Sequence, residues 1–289
     1  MAVMILNIVI SGLLMGGIYA LIAMGLSLQY GVARVLNISH GEFIMVSAFT
    51  TWALFTGLGV NPLLSLVLVG PATFLIGFLL YRVFFTRLRV SSLSQAAFEG
   101  SSMLAAFGFL FIIQNIALAI WGAGIRGYSY LAAGVSIGGA VFAVNRLVTL
   151  SSAIVIGSAF YVFLARTRLG KAIRAAAQDP ATAGLMGVDI NRVLALCFGL
   201  GALLAGLAGA LISMCFPINA TMGLGYTIIA IIVVVLGGLG SIHGSFIGGL
   251  VLGLIGSIVT YVEPGLSLAA YYVIFMLLLI VKPTGLLGR

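Results

Sequence analysis

Residues 193–215 read VLALCFGLGALLAGLAGALISMC, a stretch of 23 residues without a charged side chain. A helix of about 20 apolar residues is long enough to cross the hydrocarbon core of a bilayer. Runs of this kind recur along the chain, and they are continuous rather than alternating, which argues against a β-barrel. The sequence therefore predicts an all-α, polytopic integral membrane protein.

The overall composition supports the same class. The chain has 289 residues, of which 63% are hydrophobic and 6% are charged, and its mean hydropathy is +1.31. Soluble domains carry about 25% charged residues, so this chain lacks the polar side chains to cover a water-facing surface. Soluble, disordered and fibrous classes are excluded.

The apolar runs predict about eight or nine transmembrane helices, packed as a single domain over residues 1–289. The predicted spans are residues 4–28, 36–56, 62–84, 101–121, 147–165, 192–215, 225–239, 245–262 and 266–281. Small residues recur every fourth position in several spans, and this spacing favours close helix packing in lipid. These positions are Gly12 and Gly16, Gly201 with Ala205 and Gly209, and Gly249 with Gly253.

The net charge of +8 is explained by the orientation of the spans rather than by nucleic-acid binding. Cytoplasmic loops of membrane proteins are enriched in Lys and Arg. If residues 82–100 and 166–192 are cytoplasmic, only Arg126 and Arg146 lie outside, with the N-terminus periplasmic and the C-terminus cytoplasmic. The eleven inner basic residues are Arg34, Arg82, Arg87, Arg89, Arg166, Arg168, Lys171, Arg174, Arg192, Lys282 and Arg289. We therefore expect contacts with membrane lipid and no nucleic-acid partner.

The most informative hydrophilic stretch is RTRLGKAIRAAAQDPATAGLMGVDINR, residues 166–192. Strong helix formers at 171–178 predict one short helix, and Asp179 and Pro180 fit the N-cap and first position of a second. Gly187 fits a left-handed stop. The residues leave two roles open, which are an ordered loop against anionic lipid headgroups and a docking element for a cytoplasmic partner.

Two segments resemble each other and contain the only two histidines of the chain. Residues 38–44 read ISHGEFI and residues 241–247 read SIHGSFI, so they share His-Gly-x-Phe-Ile. Each segment begins a predicted span that runs from inside to outside. Because transporters often contain internal repeats, the match predicts a parallel internal repeat; chance similarity of short apolar segments is the alternative.

Five blocks of sequence are distributed in order along nearly the whole chain. They are GLLMGGIYALIAMGLSLQYGVARVLNISHGEFIMVSAF at 12–49, IIQNIALAIWG at 112–122, RTRLGKAIRAAAQDPATAGLMGVDINRV at 166–193, VVVLGGLGSIHGSFIGG at 233–249 and KPTGLLG at 282–288. In these blocks the chain resembles the integral-membrane permease subunits of bacterial ABC importers of the branched-chain amino acid (LivH-type) family. The resemblance implies a non-catalytic subunit of the bacterial inner membrane that forms the translocation path for branched-chain or related amino acids.

The resemblance also implies partners. These are a second permease subunit, related or identical, two cytoplasmic ABC ATPase subunits and a periplasmic substrate-binding protein. ATP and magnesium would be bound by the ATPases, so no cofactor is expected in this chain. The residues agree, because Gly170-Lys171 is followed by Ala172, which cannot supply the magnesium-binding hydroxyl of a phosphate-binding loop.

In that family the segment at 166–192 corresponds to the coupling helix, which enters a groove of the ATPase. The resemblance therefore favours docking over the lipid role. The residues assigned to ATPase coupling are Arg168, Gly170, Lys171, Arg174, Ala175, Asp179, Pro180 and Gly187. Arg174 and the Asp179-Pro180 turn are predicted to lie in the ATPase groove.

Polar residues within the predicted spans are candidates for the translocation path. They are Asn37, His40, Glu42, Gln114, Asn115 and His243. Each could instead form an interhelical hydrogen bond, worth about 0.6 kcal/mol on average. Gln29 has the same two interpretations, and the residues alone do not separate them.

Two other functions compete with the permease. An ion-coupled secondary carrier, or a channel for a small polar solute such as urea or an amide, needs carboxylates in the membrane. Of the five acids, only Glu42 is placed at a span entrance. An intramembrane enzyme is disfavoured, because the chain has neither H-E-x-x-H nor G-x-S-x-G. No metal is expected, since two cysteines on one predicted helix and two distant histidines do not form an evident site.

Overall fold

The computed structural model describes residues 2–282 and 284–287. Within this part, eight helices are long and apolar enough to cross a membrane, which confirms the multi-span helical class. Arg289, counted above among the inner basic residues, and Pro283 and Gly288 of the KPTGLLG block lie outside the described residues.

The helices follow the predicted spans closely, with one short hairpin added. The elements are α1 Ala2–Ala33, α2 His40–Leu58, α3 Pro62–Leu80, α4 Thr86–Ser91, α5 Gln95–Trp121, β1 Gly134–Ile137, β2 Ala140–Ala143, α6 Val144–Arg166, α7 Arg168–Gln178, α8 Pro180–Leu185, α9 Ile190–Cys215, α10 Met222–Gly237, α11 Ile242–Val262 and α12 Ser267–Val281. A π-helical turn, Tyr81–Phe85, joins α3 to α4, and a 3₁₀ turn, Pro264–Leu266, precedes α12.

The run predicted as a span at 225–239 is a shorter helix than expected. α10 has 16 residues, which is about 24 Å of helix, whereas the hydrocarbon core is about 30 Å thick. Residues 216–221 are non-helical, because Pro217 disfavours the helical conformation at the residue before it. Counting α12 together with the 3₁₀ turn before it, the described residues therefore contain eight helices long enough to span and the shorter apolar helix α10.

α9 lies at the centre of the core, where it packs against α1, α2, α3 and α6. Its glycines make this approach feasible. A Cβ atom at Gly201 would lie 2.6 Å from the carbonyl oxygen of Gly25, and one at Gly209 would overlap the backbone of Ile44. The predicted small-residue packing of this helix is confirmed.

α1 and α11 run antiparallel and touch backbone to backbone. The close pairs along this seam are Gly12 with Leu254, Gly16 with Gly253, and Ala20 with Gly249. A Cβ atom at Gly12 would lie 2.9 Å from the Cα of Leu254, which is closer than real side chains approach. Two of the predicted small-residue motifs therefore form a single glycine seam.

The segment between α5 and α6 is ordered, although the sequence did not predict its structure. β1 and β2 form an antiparallel hairpin, turned by Gly138 and Gly139 with positive φ angles of 57° and 84°. Arg126 exchanges two backbone hydrogen bonds of 2.8 Å with Ile218, which ties this segment to the α9–α10 connection. The hydroxyl of Tyr128 lies 3.0 Å from that of Ser213, and burial raises the pKa of Tyr128 to about 12.

Basic side chains collect at one end of the helical bundle, which we name the basic end. Following the alternation of the helices, ten of the twelve described basic residues lie there, and Arg126 and Arg146 lie at the opposite end. The basic end also contains α7, α8 and the α10–α11 turn. This distribution is the one that the sequence predicts, apart from Arg289.

Candidate translocation path and coupling segment

α2 begins inside the bundle, and one side of the first turn of α10 packs against it there, while Thr221, Leu224 and Gly225 at the start of α10 are exposed. His40 opens α2 and contacts Ile22, which lies eleven residues before the end of α1, or roughly 16 Å along that helix. Residues 34–39 are non-helical and return the chain to this depth. α10 begins beside the same place, since Gly223 lies against Gly41. Because such backbone is tolerated in a membrane only where protein buries it or it lines a cavity, this α2–α10 junction is the candidate site.

His40 holds the start of α2 in position. Its Nδ1 lies 3.2 Å from Gln29 Oε1, and its Nε2 lies 3.1 Å from the carbonyl oxygen of Ile22. Gln29 in turn donates from Nε2 to the carbonyl of Phe198 on α9 at 3.0 Å. Both ring nitrogens are thus occupied by partners on α1, so the geometry favours the interhelical hydrogen-bonding role for His40.

Asn37 has one free polar group in the interior. Its Oδ1 accepts a 2.7 Å hydrogen bond from the Ser39 hydroxyl, and its carbonyl accepts from the His40 amide at 3.1 Å. Its Nδ2 is buried without a hydrogen-bond partner among the described residues. Asn37 therefore shapes the non-helical segment and leaves a donor available.

Thr227 connects α10 to the start of α2. The Gly41 amide donates to Thr227 Oγ1 at 2.8 Å, and this hydroxyl lies 3.1 Å from the carbonyl of Ile38. A Cβ atom at Gly41 would overlap the carbonyl oxygen of Gly223. Only glycine therefore permits the two helix starts to meet.

Glu42 is the acidic residue of the α2–α10 junction. Its side chain is only 1% exposed, and its Oε2 has no hydrogen-bond partner among the described residues. Its carboxyl group lies against Gly223, in the first turn of α10, so closely that a Cβ there would meet Glu42 Cδ at 2.6 Å. Glu42 is thus a buried acid aimed at a helix N-terminus, where the partial positive charge of the helix dipole is concentrated.

The other three path candidates lie elsewhere. Asn115 on α5 is exposed and donates to the carbonyl of Phe111 on its own helix at 2.8 Å, while Gln114 is half-buried. His243 on α11 is exposed and packs edge-on against Tyr161, with ring centroids 4.6 Å apart. The structure therefore brings together Asn37, His40 and Glu42, and the path role of the other three remains a prediction.

Gly223 and Thr227 contribute to the junction without having been predicted as site residues. The available signal was the glycine pair in GLGYT, residues 223–227, which begins a helix shortly after Pro217. Both His-Gly segments do begin full-length spans, as predicted. His40 is buried whereas His243 is exposed, and the internal repeat stays a prediction.

The two-helix pattern predicted for residues 166–192 is present as α7 and α8. Thr167 caps α7 by accepting from the Gly170 amide at 3.0 Å, and Gly170, Ile173 and Ala176 form its buried face. A Cβ atom at Gly170 would overlap the carbonyl of Leu164 on α6. α7 is therefore held tightly against the end of α6.

Asp179 caps α8, as predicted. Its Oδ1 accepts from the amides of Ala181 and Thr182 at 2.9 and 3.2 Å. The Thr182 hydroxyl donates to the other carboxylate oxygen, and these hydrogen bonds lower the pKa of Asp179 below its ordinary value. Gly187, with a φ of 84°, follows α8 in the left-handed conformation.

Arg174 points back toward the membrane-spanning part. Its guanidinium donates to the carbonyl oxygens of Leu164 and Ala165 in the last turn of α6. A cation at a helix C-terminus is favoured by the helix dipole, so Arg174 fastens α7 to α6. The other residues assigned to coupling are exposed or half-buried, apart from Gly170; they are Arg168, Lys171, Ala175, Asp179, Pro180 and Gly187.

A cavity borders α7, and two large apolar side chains are exposed at the end of α8. A cavity of 420 Å³ lies between α7 and the ends of α1, α6 and α11, with Arg174, Tyr161 and His243 in its lining. On the surface of the basic end, Leu185 and Met186 at the end of α8 are 88% and 81% exposed. Together they form a small exposed apolar surface at the basic end.

No group of three or more His, Cys, Asp or Glu side chains is placed to hold a metal ion within residues 2–282 and 284–287. Cys197 and Cys215 are free thiols on α9.

One known structure resembles the whole fold of this chain. The structure of PsaBC from Streptococcus pneumoniae in complex with Fab matches with a TM-score of 0.53 at 13% identity, covering 97% of this chain and 92% of that chain. At this identity the match shows the fold alone. This chain therefore shares its multi-pass helical fold with that chain.

The family follows from the sequence comparisons. The family described as branched-chain amino acid transport system / permease component matches residues 8–282. The high-affinity branched-chain amino acid transport system permease protein LivH of Salmonella typhimurium is 31% identical over 96% of this chain and 94% of its own. The corresponding protein BraD of Pseudomonas aeruginosa is 29% identical over 97% and 94%. The chain therefore belongs to this permease family, whose members are non-catalytic and work with ATPase and binding-protein partners.

Proposed function

We propose that this chain, together with a second related permease subunit or a second copy of itself, forms the membrane path for branched-chain or related amino acids in a binding-protein-dependent importer. The family match over residues 8–282 supports the substrate class. The observation that carries the path is the α2–α10 junction, where α2 begins inside the bundle and the first turn of α10 packs against the buried Glu42. Discontinuous helices of this kind form the substrate sites of many transporters.

Energy is supplied by two cytoplasmic ATPase subunits, which hold ATP and magnesium, and substrate is delivered by a periplasmic binding protein. The basic end faces the cytoplasm, because positively charged loops are retained on that side. The N-terminus is then periplasmic and the C-terminus cytoplasmic, in a bacterial inner membrane. The whole chain acts as one transmembrane domain, with lipid around its exposed apolar helices.

α7 and α8 transmit ATPase movement into the membrane. The exposed Leu185 and Met186 supply apolar contact area for the ATPase. Movement passes to α6 through the Gly170–Leu164 contact and the Arg174 hydrogen bonds. A capped helix passes on a displacement that a flexible loop would absorb.

The test is reconstitution of this chain with its cognate permease partner, ATPases and binding protein in liposomes. We expect ATP-dependent uptake of radiolabelled leucine, isoleucine or valine that requires the binding protein. Absence of such uptake for all three, with intact assembly, would refute the amino-acid assignment.

An ion-coupled carrier is the second candidate, because Glu42 is a carboxylate at membrane depth. It predicts that an imposed proton or sodium gradient drives uptake when ATP is absent. The same liposomes separate the two mechanisms, since the importer shows no gradient-driven uptake without ATP.

A further inference from the structure

The unpaired carboxylate of Glu42 lies against the first turn of α10, which has no side-chain cap. Ionisable groups inside a membrane are costly and usually functional. Glu42 is 1% exposed, and its Oε2 has no partner among the described residues. Among the side chains of residues 2–282 and 284–287, none forms an ion pair with Glu42.

The first turn of α10 supplies the opposite charge. The first amides of a helix have no partner within the helix. Thr221, at the N-cap, makes no capping hydrogen bond, and its hydroxyl donates to Asn219 Oδ1 at 3.0 Å. The Met222 amide is bonded to the Asn219 carbonyl at 3.3 Å. Gly223, in this uncapped first turn, lies directly against the Glu42 carboxyl group. The start of α2 differs, because its Gly41 amide is already bonded to Thr227.

We infer that Glu42 and the first turn of α10 bind the two charged ends of a zwitterionic α-amino acid during its passage. The α-ammonium group pairs with the Glu42 carboxylate, and the α-carboxylate accepts hydrogen bonds from the α10 amides. An α-amino acid carries both charges on one carbon, and Glu42 lies directly against Gly223, so one ligand reaches both groups. Helix N-termini are ready-made anion sites.

This inference rests on the proposed function and makes that function more specific. It assigns recognition of the amino-acid backbone to the permease and leaves side-chain selection to the binding protein. A solute that lacks either charge loses half of the contact.

The experiment measures equilibrium binding to the purified permease–ATPase complex without binding protein. The probes are radiolabelled leucine, 4-methylpentanoate, which lacks the ammonium group, and leucinamide, which lacks the carboxylate. We expect wild-type complex to bind leucine more tightly than either analogue. Glu42→Gln should weaken leucine binding roughly tenfold or more, as for loss of a buried charge pair, and should leave 4-methylpentanoate binding unchanged.

The matched control is Glu99→Gln, because Glu99 lies on α5 and its carboxylate only accepts a 3.1 Å hydrogen bond from Gln95. Glu42→Asp keeps the charge and should retain part of the preference for leucine. Equal loss of all three probes in Glu42→Gln would show a structural role and overturn the inference. Unchanged leucine binding in Glu42→Gln would also overturn the inference. The same holds if the wild-type complex transports leucine but shows no binding of it. Failure of wild-type uptake would refute the proposed function instead.

Discussion

The amide of Gly41 donates a 2.8 Å hydrogen bond to the hydroxyl oxygen of Thr227, a residue 186 positions further along the chain. This bond joins the first turn of α2 to α10 at the depth where Glu42 is buried. The same hydroxyl lies 3.1 Å from the carbonyl of Ile38, so one side chain serves both the non-helical segment and the helix after it. Movement of either helix has to break this contact.

Replacing Thr227 with Val should open the α2–α10 junction. The isosteric side chain leaves the buried Gly41 amide without an acceptor, which costs about 1–3 kcal/mol. We expect a lower melting temperature of the detergent-solubilised complex and slower uptake. Thr227→Ser keeps the hydroxyl and should remain close to wild type; equal effects of the two variants would contradict the hydrogen-bonding role.

Gly253→Ala should disrupt the seam between α1 and α11. The new Cβ atom overlaps the backbone of Gly16, and overpacking of this kind typically costs about 1–3 kcal/mol. The control is Gly108→Ala on α5, where nothing lies within 4 Å of the new atom. The melting temperature of purified protein should fall for the first variant only, and a fall of equal size in both would argue against the seam.

Arg174→Glu should weaken association with the ATPase or uncouple ATP hydrolysis from uptake. It removes two hydrogen bonds to the α6 carbonyls and places a negative charge at the negative end of that helix. Membrane insertion should be unchanged. Arg87→Glu, an exposed substitution on α4 at the same end, is the control. Normal assembly and transport by the Arg174 variant, measured by co-purification and uptake, would remove the coupling assignment.

Asp179→Ala should loosen α8 and reduce coupling, whereas Asp179→Asn keeps an oxygen acceptor for the Ala181 and Thr182 amides and should behave nearly as wild type. Hydrogen exchange of the α8 amides measures the difference. Bonds from Thr182 lower the pKa of Asp179 from its ordinary value of 3.8. The stabilisation by the ionised cap is therefore complete above that pH and disappears as the pH falls through the lower folded pKa. Equal exchange in both variants at neutral pH would show that the cap has no role.

Cysteine labelling tests the orientation. In a background without Cys197 and Cys215, a cysteine at Ile125 should react with an impermeant thiol reagent in intact cells. A cysteine at Thr182 should react only after the membrane is permeabilised, because α8 lies at the basic end. The reverse pattern would invert the proposed topology.

The helices were largely predictable from the sequence, because long apolar runs and end signals act locally. Asp179, Pro180 and Gly187 mark the ends of α8 through capping, proline geometry and a positive φ, each a property of a few neighbouring residues. The depth at which α2 and α10 begin was not predictable. It depends on contacts such as Gly41 with Gly223, which exist only when distant parts of the chain meet.

For the polar candidate residues, too, the sequence alone did not predict which contacts each side chain makes. Asn37, His40, Glu42 and Asn115 look equivalent in a sequence, since each is polar in an apolar setting. The structure separates them by partner, because Asn115 bonds to its own helix, His40 is held by α1, and Glu42 Oε2 has no partner. The sequence likewise did not predict that the Arg174 side chain points toward α6, because its acceptors are backbone carbonyls, which every residue has.

The glycine seam also constrains how the protein is made. Gly12 lies in α1 and its partner Leu254 lies in α11, so the partner follows it by 242 positions along the chain. At a synthesis rate of about 5–20 residues per second, the ribosome needs roughly 10–50 s to reach that partner. During this interval the glycine face of α1 lacks its native partner. A chain released before α11 is made would therefore leave this face uncovered.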